Sequence, residues 1–286
     1  MLLRARAPAK VNLTLHVLGR RRDGFHELDS LVAFAGCAAD ALTLEPDGPL
    51  SLTVAGPFAE AAGPSDDNLV LKAARAAAER IEGLRFGRFA LVKRVPVAAG
   101  LGGGSADAGA ALRLLCEANG LSPDDARITE AAAAAGSDVP ACLGSRAVMM
   151  RGRGEGLVPV DLPRLAAVLV NPLKPLSTVA VYRGLGLAPG ERFGEPSPEP
   201  GATFDAAVAA IAAGRNDLEP PARALEPAVV KGVAALAATE DCLLARMSGS
   251  GATVFGLFDD IRSARRAARA LRSSLPEWWI RPTLLR

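Results

Sequence analysis

The chain has 286 residues, half of them apolar, and a formal net charge of +2. That length is long for one core, so two domains are expected. Near-neutrality argues against nucleic acid as the main partner, and charges or prolines interrupt every apolar run before it reaches the length of a membrane span.

In chain order, Val11-Asn-Leu-Thr-Leu-His-Val-Leu18 alternates apolar and polar residues and predicts a half-buried strand. Lys10, Asn12, Thr14 and His16 fall on one face, and Val11, Leu13, Leu15 and Val17 on the other. Arg22-Asp-Gly24 supplies a turn and Phe25-His-Glu-Leu28 a return segment. Leu42–Glu45 and Leu50–Val54 read as two further strands, parted by the turn formers 46–49. A helix is expected over about 68–82, capped by Asp67 or Asp66. Phe86–Val95 should be a strand that delivers the glycine-rich stretch Pro96–Ala106. The apolar spacing of Ala108, Ala111, Leu112 and Leu115 then predicts a helix opening near Ser105 or Ala106 and stopping before Gly120. Ser122-Pro-Asp-Asp and Ile128-Thr-Glu resemble capped helix starts, and 131–135 completes a helix before Gly136.

Ala147–Met150 and Leu157–Val160 look like strands around a Gly152–Gly154 turn, and Ala166–Asn171 is a buried strand. The Pro- and Gly-rich stretch 187–201 reads as a mobile loop. Helices near 204–213 and 226–239, strands at Ala245–Met247 and Thr253–Phe258, a long helix at about 261–273 and a strand near Trp279–Pro282 complete the chain. The arginines of that last helix, from Arg262 to Arg272, read as a solvated face. Those at 20–22 suit either a phosphorylated ligand or an ordinary surface turn.

Cys37, Cys116, Cys142 and Cys242 have no metal-ligand spacing, and the chain holds only two histidines. Reduced, buried thiols are therefore expected, with neither a zinc site nor a disulfide framework. The N-terminal Met1-Leu-Leu-Arg4 lacks the apolar region of a signal peptide, which sets the expectation of a cytoplasmic protein. Neither nucleic acid nor membrane is expected as a partner, and a monomer or weak homodimer is the expected state.

The stretch Pro96, Val97, Ala98, Ala99, Gly100, Leu101, Gly102, Gly103, Gly104, Ser105, Ala106 leads from a predicted strand into a predicted helix. Glycines let backbone amides approach an anion, and free amides at a helix start favour phosphate. No Walker-type lysine follows, and the dinucleotide-binding pattern is incomplete. A phosphate site and a tight structural turn both fit the stretch. A kinase also needs a group to take or orient the proton of its acceptor. Asp138 in Gly136-Ser-Asp-Val-Pro140 suits that role, and suits a helix cap equally in type. Lys10 by itself carries no information. Ser248-Gly-Ser-Gly-Ala252 is either a small-residue wall at a phosphate site or a turn.

The order of these pieces is more specific than any one of them. Pro8-Ala-Lys10-Val-Asn12, the glycine-rich stretch, Gly-Ser-Asp138-Val-Pro and Met247-Ser-Gly-Ser-Gly-Ala together resemble the GHMP kinase superfamily across the full chain. Lys10-Val-Asn-Leu-Thr-Leu-His-Val-Leu-Gly, Arg22-Asp-Gly-Phe-His-Glu-Leu, Gly152-Arg-Gly-Glu155 and Ser65-Asp-Asp-Asn68-Leu resemble the branch that acts on a cytidine-linked sugar alcohol in non-mevalonate isoprenoid synthesis. The resemblance implies an α+β fold of two lobes, with nucleotide and acceptor meeting in the cleft. The N-terminal lobe, 1–160, would be ribosomal-protein-S5-like and bind ATP; the C-terminal lobe, 161–286, would be ferredoxin-like.

It further implies Lys10 and Asp138 as the catalytic pair, with Asp138 taking the hydroxyl proton and Lys10 offsetting charge on the moving phosphoryl group. Asn12 would position the acceptor. Phe25 and His26 would hold the cytosine ring, with Tyr182 as the aromatic partner on its other face; many relatives carry Tyr where Phe25 stands. Asn68 and Lys93 would approach the adenosine of ATP, Pro96–Ala106 its triphosphate, and Ser248, Gly249, Ser250 and Gly251 would wall the phosphate site. Magnesium is expected on ATP oxygens and water, with Ser105 close and no protein metal site. The rivals are a mevalonate, homoserine or sugar kinase, a related ATP-using decarboxylase, and a non-catalytic nucleotide-binding protein. Asp23-Gly-Phe-His-Glu speaks against the rival kinases, whose substrates have no cytosine to stack, and the presence of both Lys10 and Asp138 speaks against a non-catalytic protein.

Overall fold

The computed structural model describes residues 1–63 and 67–286. Asp66, one of the two residues expected to cap the first helix, and Ser65 of the Ser65–Asn68 motif lie outside the described residues. The chain folds into two compact units, one of Met1–Lys10, Ala39–Val97 and Gly102–Arg146, the other of Val11–Ala38, Ala98–Leu101 and Ala147–Arg286. Two strands run on from one unit into the other: β1 (Leu3–Asn12) and β3 (His26–Pro46). β3 is a single strand of 21 residues where the sequence predicts separate segments.

In the first unit, the end of β3 pairs antiparallel with β5 (Gly87–Val92), and β4 (Ser51–Ala55) adds to β5 in parallel. Four helices belong to this unit: α1 (Leu69–Ala78), α2 (Gly103–Asn119), α3 (Ala126–Ala135) and α4 (Val139–Gly144). α1 is shorter than predicted, and its cap is Asn68, whose Oδ1 accepts a hydrogen bond from Val70 N at 3.0 Å. α3 starts at Ala126, with Asp125 accepting from Arg127 N. The Ser122-Pro-Asp-Asp motif therefore ends on the cap itself, Asp125, whereas Ile128 is an interior position of α3. α2 opens at Gly103, earlier than predicted, because Gly102 takes a left-handed conformation (φ 56°) as its N-cap. Glycine's low helix propensity is overridden by packing in the rest of α2, which buries ten residues. At Gly109 the packing against α4 is so close that a Cβ would stand 2.7 Å from the Cys142 carbonyl carbon.

In the second unit, β2 (His16–Arg20) and β6 (Val148–Gly152) both pair antiparallel with the first half of β3, and β7 (Gly156–Pro159) continues from β6. A second antiparallel array runs β9 (Cys242–Met247), β10 (Val254–Phe258), β8 (Leu165–Asn171), β11 (Trp279–Leu285). It is covered by α8 (Pro227–Ala237) and α9 (Ile261–Ser274), and its core includes Val168, Val170, Val254, Leu236 and Leu271. α5 (Thr178–Arg183), α6 (Phe204–Ala213) and α7 (Glu219–Leu225) complete the unit. Periodicity overlooks α5 and α7 because each spans under two turns. Pro220 and Pro221 look like a loop signal but sit in the first turn of α7, where a missing N–H costs nothing.

Two expectations need correction here. The Val11–Leu18 segment is not half-buried: Asn12, Thr14 and His16 are as enclosed as Val11, Leu13 and Val17. Its polar face is covered by hydrogen-bonding partners, with Thr14 Oγ1 2.7 Å from Ser197 Oγ and His16 held between Glu195 O and Arg215 N. Residues 190–194, expected to be mobile, instead run beside β2. Arg20 N donates to Glu191 O, Gly190 N to Arg20 O, and Phe193 N to Leu18 O.

Candidate active site

Three features meet in the first unit. The Lys10 ammonium lies 3.1 Å from Asp138 Oδ2, and the two side chains differ in exposure, 6% against 31%. Asp138 is the N-cap residue of α4, with Pro140 in the first turn, but its carboxylate makes no capping bond. The cap position predicted from Asp-x-Pro is real, and the side chain is turned to Lys10 instead. The third feature is Gly102: a Cβ there would lie 3.1 Å from Lys10 Cε and 3.7 Å from Asp138 Oδ2. Only a glycine gives both the positive φ and this close approach.

α2 therefore starts against the Lys10–Asp138 pair. Its internal ladder begins with Ala106 N donating to Gly102 O at 2.9 Å, so the amides of Gly103, Gly104 and Ser105 precede it and are placed as helix-start donors. An anion there meets both those amides and the positive end of the helix dipole.

Asn68 and Lys93 are used differently from each other. Asn68 is spent in part on capping α1. Lys93 is not a solvated strand residue: it follows β5, is 2% exposed, and its ammonium lies 2.5 Å from Asp40 Oδ2 and 2.7 Å from Asp107 Oδ2. Burial by itself would push the Lys93 ammonium down, but the two carboxylates outweigh it and the net shift is upward.

In the second unit, Gly100 (φ 73°) faces the Ser248–Gly251 turn so tightly that a Cβ would stand 2.4 Å from Ser248 O. The Ser248 hydroxyl donates to Gly100 O at 3.0 Å and accepts from Asn12 N at 3.1 Å. Asn216 Nδ2 ties the same turn through Met247 O and Gly249 O, and Ser250 Oγ lies 2.8 Å from Thr178 Oγ1. The Ser248 hydroxyl thus ties the turn to the Ala98–Leu101 segment, and the Ser250 hydroxyl ties it to the start of α5. The Asn12 amide donates to Ser30 Oγ at 2.8 Å.

The aromatic residues form two pairs. His26 and Tyr182 have ring centroids 4.7 Å apart at 36°. Phe25 is exposed and carries the Arg153 guanidinium 4.9 Å above its ring. Tyr182 therefore lies against the imidazole. Burial, with a smaller effect from Arg20, lowers the His26 pKa, so its ring is neutral near pH 7. Of the arginine cluster, Arg20 is committed to Gly24 O and Leu187 O, and Arg21 to Asp23 and Glu27. They line, with residues 190–196, a cavity of about 700 Å³.

Asp40, Asp107, Arg153 and Asn216 escaped the sequence reading. A signal existed for the first two, since a lone acid inside an otherwise apolar run (Cys37-Ala-Ala-Asp40-Ala-Leu, Ser105-Ala-Asp107-Ala-Gly) implies a buried partner. Nothing local links Arg153 to Phe25.

A family model described as the GHMP kinases N terminal domain matches residues 68–146, and one described as GHMP kinases C terminal matches residues 202–277. The chain is 58% identical to a 4-diphosphocytidyl-2-C-methyl-D-erythritol kinase of Xanthobacter autotrophicus, over 100% of this chain and 99% of that protein. It is 59% identical to the protein of the same description from Methylobacterium radiotolerans, with the same coverage. A crystal structure of 4-(cytidine 5'-diphospho)-2C-methyl-D-erythritol kinase superposes with a TM-score of 0.76 at 35% identity, over 99% of both chains. Homoserine kinase from Cytophaga hutchinsonii superposes with a TM-score of 0.70 at 17% identity, over 99% of this chain and 94% of that one, a likeness of fold alone.

Proposed function

The chain belongs to the GHMP kinases, among the 4-diphosphocytidyl-2-C-methyl-D-erythritol kinases, and we propose that it transfers the γ-phosphoryl group of ATP to the 2-hydroxyl of 4-diphosphocytidyl-2-C-methyl-D-erythritol in non-mevalonate isoprenoid precursor synthesis. The observation that carries this is the Lys10–Asp138 pair set against the Gly102 cap of α2. It puts a reachable carboxylate and a buried cation beside a helix start suited to phosphate.

Asp138 accepts the proton as the acceptor oxygen bonds to the γ-phosphorus and the bond to the β-phosphate oxygen breaks, releasing ADP. Lys10 offsets negative charge on the moving phosphoryl group. The amides of Gly103, Gly104 and Ser105 hold triphosphate oxygens, with the rest of Pro96–Ala106 and the Ser248–Gly251 turn shaping the stretch around them. Asn68 takes part in holding the adenosine, and Lys93 acts from beneath α2. Among the described residues, no group of three or more His, Cys, Asp or Glu is arranged to hold a metal ion. Asp40 and Asp107 already share Lys93. Magnesium would arrive on ATP oxygens and neutralise triphosphate charge there, with Ser105 as a neighbouring hydroxyl.

Phe25 stacks on the cytosine ring, neutral His26 hydrogen-bonds its edge, and Tyr182 braces the imidazole. Asn12 positions the acceptor. Residues 1–160 serve as the ATP-binding domain and 161–286 as the C-terminal domain, in a cytoplasmic enzyme. No helix among the described residues is long and apolar enough to cross a membrane.

ADP release with ATP and magnesium over a panel of acceptors tests the assignment. Turnover with the cytidylyl substrate is expected. Turnover only with mevalonate, homoserine or a sugar would refute it.

A further inference from the structure

Beneath the first turn of α2 lies a charge cluster that neither proton transfer nor base recognition uses. Lys93, Asp40 and Asp107 are 2%, 1% and 1% exposed, and the two carboxylates share the one ammonium. Asp40 is fully engaged: Oδ2 takes Lys93, and Oδ1 accepts from Arg94 N at 2.5 Å and Val95 N at 2.9 Å. Asp107 is not, because its Oδ1 is buried without a hydrogen-bond partner. Two charged carboxylates and one ammonium would leave a net negative charge where there is almost no water to solvate it.

A proton on Asp107 removes that charge. Burial is the main reason the Asp107 carboxyl is pushed up to about 8; Lys93 opposes the rise and the Asp40 charge adds to it. Cys142 of α4, whose thiol burial keeps protonated, also feels the Asp107 charge, and Asp138, Lys10 and Arg113 act on that same thiol. The cluster sits directly under the helix start, since a Cβ on Gly103 would lie 3.5 Å from Lys93 Nζ and 4.0 Å from Asp40 Oδ2.

We propose that Asp107 is a positioning residue for the donor nucleotide: its neutral, protonated form keeps Lys93 under Gly103 in a cluster of zero net charge, and loss of that proton puts a negative charge beneath the phosphates and weakens their binding. This rests on the reading of the start of α2 as the triphosphate site. Charge beneath the first turn opposes the helix dipole at the point where the anion docks.

The test measures kcat and the KM for ATP from pH 6 to 9.5 in the wild type and in Asp107→Asn, which keeps the shape and the neutral state. The wild-type KM for ATP should rise across pH 8 by roughly five-fold relative to Asp107→Asn, the order expected for one added charge at a partly screened site. The kcat ratio should stay constant. Without nucleotide, the melting temperature supplies a second readout. A carboxyl with its folded-state pKa raised stabilises the fold below its unfolded pKa of about 4 and loses that contribution as pH climbs to about 8. The melting temperature of Asp107→Asn should therefore gain on the wild type between those values and then run parallel.

The same pH dependence of KM in both proteins would overturn the inference. Gly104→Val separates the two levels. If it raises the KM for ATP while Asp107→Asn behaves as wild type, only the inference falls; if it leaves the KM unchanged, the phosphate reading falls and the inference with it. Should Asp107→Asn not fold, the carboxyl 13C resonances of the wild type decide, and the absence of a buried carboxyl titrating near pH 8 refutes the proposal.

Discussion

The ammonium of Lys10 is buried 3.1 Å behind an Asp138 carboxylate that keeps 31% of its surface open. This asymmetry separates the two roles: the carboxylate is the member a substrate hydroxyl reaches, and the lysine acts by charge from below. Asp138→Asn, which keeps shape and removes the proton acceptor, should lower kcat by roughly 100-fold or more with ATP binding retained. Single-turnover kinetics alongside a nucleotide-binding titration measures both. Near-normal kcat would remove Asp138 from the role of base.

Gly102 links the pair to the helix start. Gly102→Ala places a methyl group against Lys10 Cε at a φ of 56°. The backbone penalty should be about 1–2 kcal/mol, and kcat should fall more than that loss of stability explains, because Lys10 has to move. Urea unfolding compared with steady-state kinetics checks it; full activity in a destabilised protein would show that the close approach is only structural.

Phe25 is exposed and His26 is neutral near pH 7. Phe25→Ala should raise the KM for the cytidylyl acceptor roughly ten-fold, the loss of one stacking partner, and leave the KM for ATP alone. The lowered pKa also has a signed consequence. Imidazole protonation occurs only below the ordinary value of about 6.5, so the acceptor KM should be flat from pH 7 to 9 and climb on the acid side. His26→Gln should abolish the acid-side climb, and a climb that persists belongs to another group.

Arg246 is buried in the second unit and its guanidinium donates to Leu13 O, Ile211 O and Gly214 O at 3.1, 2.7 and 2.7 Å. Arg246→Met leaves those carbonyls unpaired and should cost roughly 3 kcal/mol, or about 6–12 °C of melting temperature. Differential scanning calorimetry reads this directly. A shift under 2 °C would mean that water replaces the guanidinium.

Much of the secondary structure was legible because periodicity and caps are local. The helix at 204–213 is found as expected from its spacing, and α2 stops at Asn119 as the following Gly120 demands. Errors arose where tertiary partners decide the outcome. Thr14 and His16 look like solvent-facing residues until Ser197, Glu195 and Arg215 cover them from some 180 to 200 positions away. The site residues divide in the same way. Lys10 and Asp138 were found only through their order among other motifs, since each is ordinary in its own neighbourhood.

The glycine-rich stretch shows where each level stops. Sequence alone determined that Pro96–Ala106 is a flexible-backbone segment entering a helix, because glycine's missing Cβ is a local property. It also determined the family, because the ordered motifs survive without coordinates. Only the tertiary structure decided that Gly102 caps α2 against Lys10 and Asp138, and that Lys93, Asp40 and Asp107 lie beneath it. Charges so far apart along the chain couple only when folding removes the water between them and lowers the dielectric that screens them.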